Sequence, residues 1–219
     1  MKALLYKEFR LFVGKINYFF MAFPLMIFIP GGYPILFSAF FVCMGIFTAF
    51  QLAREANDTL FSVLLPIRKA DAVRARYLSC AILELSAFLL SAIFVALRVT
   101  VLAKVGPYTM APALMPGNLA FLGYLLLAFS LFNGAFIRGF YRTGYAYAKP
   151  YILFVVWFCV LAIAAEVIWH IPGLSFLAGV SGGDLLRQLP LFLFGALCYV
   201  LVTLLSCRAA MSTFEKIDL

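Results

Sequence analysis

The chain has 219 residues, of which 66% are hydrophobic and 12% charged, with a mean hydropathy of +1.07 and a formal net charge of +8. That much apolar surface cannot be hidden inside one soluble core, which excludes an ordinary globular enzyme and predicts an all-α integral membrane protein with a single transmembrane domain, residues 1–219. The basic excess needs no nucleic acid to explain it, since lysine and arginine collect on the inner side of membrane proteins and meet anionic headgroups there.

Residues 1–15 are too polar to span. Leu5, Phe9, Phe12 and Ile16 recur on one helical face while Lys7, Arg10 and Gly14 lie elsewhere, which predicts an amphipathic interfacial helix. It is either a simple anchor or a mechanical link to the first span. No small-residue cleavage motif follows, so this start is expected to be retained.

Residues 16–53 would measure about 57 Å as one straight helix, nearly twice the hydrocarbon thickness, so they fold back. Pro30, Gly31, Gly32, Tyr33 and Pro34 supply the turn, because proline lacks an amide donor and glycine allows positive φ. Helix one is then 16–29, kinked at Pro24, and helix two 35–53. A charged region, 54–76, precedes four further spans within 77–207, at 77–97, 118–137, 150–169 and 190–207, and a tail, 208–219. Only Arg98, Lys104 and Arg187 of the 17 basic residues fall on the side opposite the tails; both termini are therefore expected to be cytoplasmic.

The charged region organises the rest. Glu55, Asn57, Asp58 and Thr59 end helix two, and Asn57, Asp58 or Thr59 can cap a short helix. That helix carries Leu60, Phe61, Leu64 and Leu65, and Pro66 stops it; Arg68, Lys69, Arg74 and Arg76 lead into helix three. Apolar residues on a short helix outside the bilayer want either a protein groove or the lipid interface.

Two carboxylates lie within predicted spans, where an ionisable group is a functional candidate by default. Glu84 lines a path, pairs with a basic residue near the inner face, or is a structural carboxylate. Glu166 and His170, four residues apart, share a helix face if helix five continues, as an external gate or as an interface pair beside Trp169. The connection 170–189 contains two short apolar pieces, 173–180 and 184–189, suited to dipping partway into the bilayer.

Chemistry within the chain is poorly supported. None of the seven lysines is followed by serine or threonine, which excludes a Walker-type phosphate loop, and the single histidine excludes a two-histidine zinc helix. Gly173, Leu174, Ser175 and Phe176 lack the second glycine of a serine nucleophile motif. The five cysteines have no metal-ligand spacing.

The stretch from Glu55 to Thr59, the LLPIRK of Leu64 to Lys69, the ARYL of Ala75 to Leu78, the opening LLYKEFRL and the closing FEKIDL resemble permeases of the ABC transporter type-2 family. That family usually has arginine where Ile217 stands. The resemblance implies six spans, a dimer with a second permease copy, homodimeric or heterodimeric, and a separate ABC ATPase, with its own ATP and magnesium, docked through the coupling helix. It implies coupling roles for Glu55, Asn57, Asp58, Thr59, Leu60, Phe61, Leu64, Leu65, Pro66 and Arg68, and an external lid near 170–189. The small phenylalanine-rich form is most similar to bacterial exporters of amphipathic peptide toxins of the phenol-soluble modulin type, hence to a permease of the bacterial plasma membrane. The alternative is a membrane scaffold or immunity-type protein that docks a cytoplasmic partner and moves nothing.

Overall fold

The computed structural model describes residues 2–29, 34–64, 67–102, 114–143 and 146–216. Most of the turn at 30–34 and most of the loop 98–117 lie outside them. Among the described residues the regular structure is entirely helical. Between their termini helices satisfy their backbone donors and acceptors internally, as lipid requires.

Helix α1, Lys2–Phe12, begins as α-helix and ends in a π-helical turn, Glu8–Phe12. The chain then breaks at Val13 and Gly14, turning by 81° into α2, Lys15–Phe28. The last part of α2, Phe23–Phe28, is 3-10 helix with Pro24 in its first turn, where a missing amide donor costs nothing. The tighter winding lengthens α2 slightly, to about 24 Å, still short of a full crossing. Its end is closed by Arg98, whose Nη1 donates to the Ile27 carbonyl at 2.7 Å. The sequence assigned Arg98 to an outer loop; it is instead 9% exposed, drawn in by an unsatisfied helix terminus.

The longer helices are α3, Phe37–Glu55; α5, Lys69–Thr100; α6, Leu119–Arg142; α7, Ala148–Ile168; and α8, Gly182–Glu215. A short α4, Asp58–Leu64, joins α3 to α5. Among the described residues five helices are long and apolar enough to cross a membrane, and six spans result if bent α1 and α2 form one broken span. Helices two and five fall close to their expected limits.

Four boundaries differ; one is the end of helix six, which continues to Glu215 where the sequence has it stop at 207. Helix three starts at Lys69 rather than 77, because Arg76 is neutralised inside the protein and the helix need not stop at it. Helix four runs on to Arg142 through a π-helical turn, Phe132–Ile137, so part of the connection left between helices four and five, 138–149, is helical. Helix six starts at Gly182 rather than 190. Ser181 Oγ accepts from the Asp184 amide at 3.2 Å, and this N-cap makes the apolar piece 184–189 the first turns of α8, with Pro190 enclosed.

Helix α6 forms the centre. Phe121, Phe129, Phe132 and Phe136 are fully buried, and Phe136 meets Phe47 and Phe50 of α3 and Tyr151 of α7 edge to face. Against α8 the contact is backbone to backbone: a Cβ on Gly195 would lie 2.4 Å from the Gly123 carbonyl oxygen. Lipid supplies no hydrophobic drive for helix pairing, so small residues that permit close approach do it instead. The first helix and the end of the last meet at one end of the bundle, where Glu8 and Phe214 line the same small recess.

Candidate coupling site

At that end α3 stops at Glu55, and Asn57, with φ 53°, reverses the chain. Asparagine tolerates this left-handed conformation better than other residues with a Cβ. The Asn57 carbonyl accepts from the Phe61 amide at 3.0 Å, so α4 starts directly behind the turn. Of the three residues expected to cap α4, Asn57 occupies the junction, while Asp58 turns its carboxylate away to cations on other helices. Leu65 and Pro66 lie outside the described residues, as do the side chains of Thr59 and Leu60.

Helix α4 is amphipathic in the inverse sense to a soluble surface helix. Asp58 and Ser62, four residues apart, face inward and are 8% and 5% exposed, whereas Phe61 and Leu64, three apart, face outward at 54% and 85%. The inward face belongs to a buried cluster of four charges. Lys7 Nζ of α1 lies 2.8 Å from Asp58 Oδ1 and also donates to the Ser62 hydroxyl. Arg76 Nη2 of α5 lies 2.5 Å from Asp58 Oδ2, while its Nε pairs with Glu8 of α1. Ser62 Oγ donates to the Asp58 carbonyl at 2.7 Å. The Arg76 guanidinium also lies 4.0 Å from the centre of the Phe12 ring, which the π-helical turn brings beneath it. Burial alone would push the Asp58 carboxyl upward, but the Lys7 hydrogen bond and the Arg76 charge outweigh it and hold its pKa below the ordinary value.

One guanidinium thus ties α1, α4 and α5 together. The sequence reading treated Arg76 as a loop charge and did not single out Glu8. The available signal was Glu8 itself, one turn before Phe12 on the α1 face that includes Leu5 and Phe12. Ile16, expected on that face, lies beyond the break and is 36% exposed. Helix α1 is also held against α5 through Glu8 and Arg76. Glu55 and Arg68 are exposed and stand outside the charge cluster.

Glu84 is fully buried in the bundle, away from this site. Its Oε2 accepts from Asn133 Nδ2 at 2.9 Å and Tyr199 OH at 2.8 Å, and Asn133 also donates to Thr203 Oγ1 at 3.0 Å. Glu84 thus joins a polar group between α5, α6 and α8, not the basic partner offered as one expectation. Asn133, a polar residue within an apolar span, was the missed signal.

Glu166 and His170 lie at the opposite end but do not pair through their side chains. Helix α7 ends at Ile168, and His170 Nδ1 sits 2.8 Å from the Glu166 backbone carbonyl, while Glu166 Oε2 accepts from the Met115 amide at 2.9 Å. Near them a 3-10 turn, Ser175–Ala178, is held by two amides that the sequence did not reveal. Asn118 Oδ1 caps α6 at the Phe121 amide while its Nδ2 donates to the Leu177 and Gly179 carbonyls. Gln188 Oε1 accepts from the Ala120 amide, and its Nε2 donates to the Phe176 and Gly179 carbonyls.

A bundle of helices long and apolar enough to cross a membrane, with a polar, ion-paired end, defines a multi-pass membrane protein. Residues 3–215 match the family described as ABC-2 family transporter protein, and the chain belongs to that family as a permease component of an ABC transporter. No curated protein and no solved structure shows a significant match.

Proposed function

We propose that this permease belongs to an ATP-driven exporter and receives the stroke of a separate ABC ATPase, which binds ATP and magnesium, on α4. The reading is carried by the inverted α4: its outward residues, Phe61 and Leu64, are apolar and exposed, while its inward face is bonded through Asp58 to α1 and α5. Apolar side chains on a short exposed helix fit a groove on a protein partner. A push on Phe61 and Leu64 reaches Arg76, the Glu8 carboxylate and hence α1. Glu55 and Arg68 flank this surface as exposed rim charges. The end bearing α4 and both chain ends is then cytoplasmic, which agrees with its share of lysine and arginine.

The apolar, aromatic interior suits an amphipathic or hydrophobic cargo, such as a peptide toxin or antimicrobial peptide, more than an ion. Two permease copies, identical or different, would enclose its route. Glu84, fully buried within one copy, stands behind its wall and braces the helices that form it; Glu166 and His170 belong to its outer end. Phe61→Glu and Leu64→Glu test the reading: recovery of the ATPase with the purified permease should fall at least about tenfold, with export lost and the melting temperature unchanged. Normal ATPase recovery and export by folded variants would remove α4 from coupling.

A further inference from the structure

At the same end, the last turn of α6 and the first turns of α7 leave an open groove of about 580 Å³. Its floor is set by Gly139, on which Pro150 rests so closely that a Cβ on Gly139 would lie 2.7 Å from the proline Cβ. Its rim carries Arg142 and Lys149, both exposed, and its wall carries Ile152, Leu153 and Val156, exposed by 62%, 50% and 54%. Charge and oil are therefore separated along one cleft. From Lys149 to Val156 the helix rises about 10 Å, the depth from a headgroup to the upper part of an acyl chain.

We infer that this groove is a binding site for an anionic phospholipid, with the phosphate between Arg142 and Lys149 and an acyl chain against Ile152, Leu153 and Val156. Three observations select that occupant. Among the described residues no carboxylate lies within 4.0 Å of either cation, whereas Lys7 and Arg76 each have two such partners. The α7 N-terminus opens on the same rim with no side-chain cap, so its positive dipole end adds to the field there. At the other side of the rim the Thr143 hydroxyl lies 2.9 Å from the Gly139 carbonyl and 2.8 Å from that of Ala146, so its single proton partly screens these acceptors from a phosphate. A soluble anion would leave the apolar wall unused. Basic pockets between spans are recognised sites for acidic headgroups.

The test needs no ATPase and does not depend on the cargo. The full chain, purified in neutral detergent, is titrated with phosphatidylglycerol or phosphatidylcholine and bound lipid is counted by native mass spectrometry. Phosphatidylglycerol should be retained and phosphatidylcholine lost. R142Q/K149Q should weaken retention about 30-fold, the effect of two interfacial basic charges. Val156→Trp, or Leu153→Trp if the first variant folds poorly, should also weaken it by filling the wall with both cations intact. Glycerol phosphate should not compete. Equal retention of both lipids, or an unchanged R142Q/K149Q variant, would overturn the site. Wild-type retention by the folded tryptophan variants would reduce it to surface charge alone, and displacement by glycerol phosphate would make it a free-anion site; either overturns the proposal.

Discussion

Arg76 and Asp58 meet at 2.5 Å although one belongs to the long α5 and the other to the first turn of α4. Arg76 also holds Glu8, so removing it would leave two carboxylates, each less than 10% exposed, sharing Lys7 as their remaining cation among the described residues. Breaking a buried pair by deleting one partner costs about 3–5 kcal/mol. We expect Arg76→Met to lower the unfolding free energy in detergent by about that amount, and the triple variant Glu8→Gln, Asp58→Asn, Arg76→Met to recover a large part of it. A single variant as stable as wild type would show that the cluster does not hold α1 in place.

The same cluster sets a pH limit. The folded Asp58 pKa is lowered relative to an unfolded value near 3.8, so its stabilising contribution is present above that value and is lost as pH falls through the folded pKa. The Asp58-dependent attachment of α1 should therefore be constant from pH 5 to 8 and loosen only below about pH 4. Labelling of Ser62→Cys, which faces inward from α4, by a pyridyl disulfide that reacts with thiols in acid should rise only below about pH 4. In an Asp58→Asn background the acid-dependent component should vanish. A change centred between pH 5 and 8 would assign the attachment to another group.

Where a sequence rule rests on one segment, it survived folding. Helices two and five were legible because a crossing helix must be long and apolar whatever surrounds it. Pro24 was legible as a local irregularity for the same reason, since its effect needs only its neighbours. Helix six was misread because Pro190 looks like a start, while the cap that actually starts α8 is the modest Ser181 and Asp184 pair. The charge cluster was illegible because Glu8 and Arg76 are 68 positions apart. Nothing local tells a loop arginine from a buried one. The polar group of Glu84, Asn133 and Tyr199 is similar: the carboxylate announced itself by its cost in lipid, but its partners lie 49 and 115 positions away.

Gly123 and Gly195 permit α6 and α8 to touch through their backbones. Gly195→Ala places a carbon 2.4 Å from the Gly123 carbonyl oxygen, far inside contact distance and against main chain that cannot rotate away. We expect a loss of about 1–3 kcal/mol for alanine, the range for overpacking a filled interior, and a larger loss for valine. Thermal unfolding of the purified permease would measure it. Gly182→Ala is the control, since nothing lies within 4 Å of a Cβ there. Equal melting temperatures for the two alanine variants would mean that α6 and α8 do not depend on this contact.

Gln188 closes the end opposite the charge cluster, donating to the Phe176 carbonyl at 2.7 Å and the Gly179 carbonyl at 2.8 Å while accepting from the Ala120 amide. It is fully buried, so Gln188→Leu keeps much of its volume but leaves those backbone groups short of a partner, at about 1–3 kcal/mol for each group left unsatisfied. Asn118 still donates to the Leu177 and Gly179 carbonyls, so the variant should loosen the turn Ser175–Ala178 without releasing it. Labelling of Phe176→Cys should then rise in Gln188→Leu and rise further in the double variant with Asn118→Ala. If this turn covers the exit of the transport route, the loosened variants should also raise basal leak of an amphipathic reporter peptide from energised vesicles while ATPase binding at α4 is unaffected. Increased labelling without increased leak would make Asn118 and Gln188 a structural clamp alone, separate from the path.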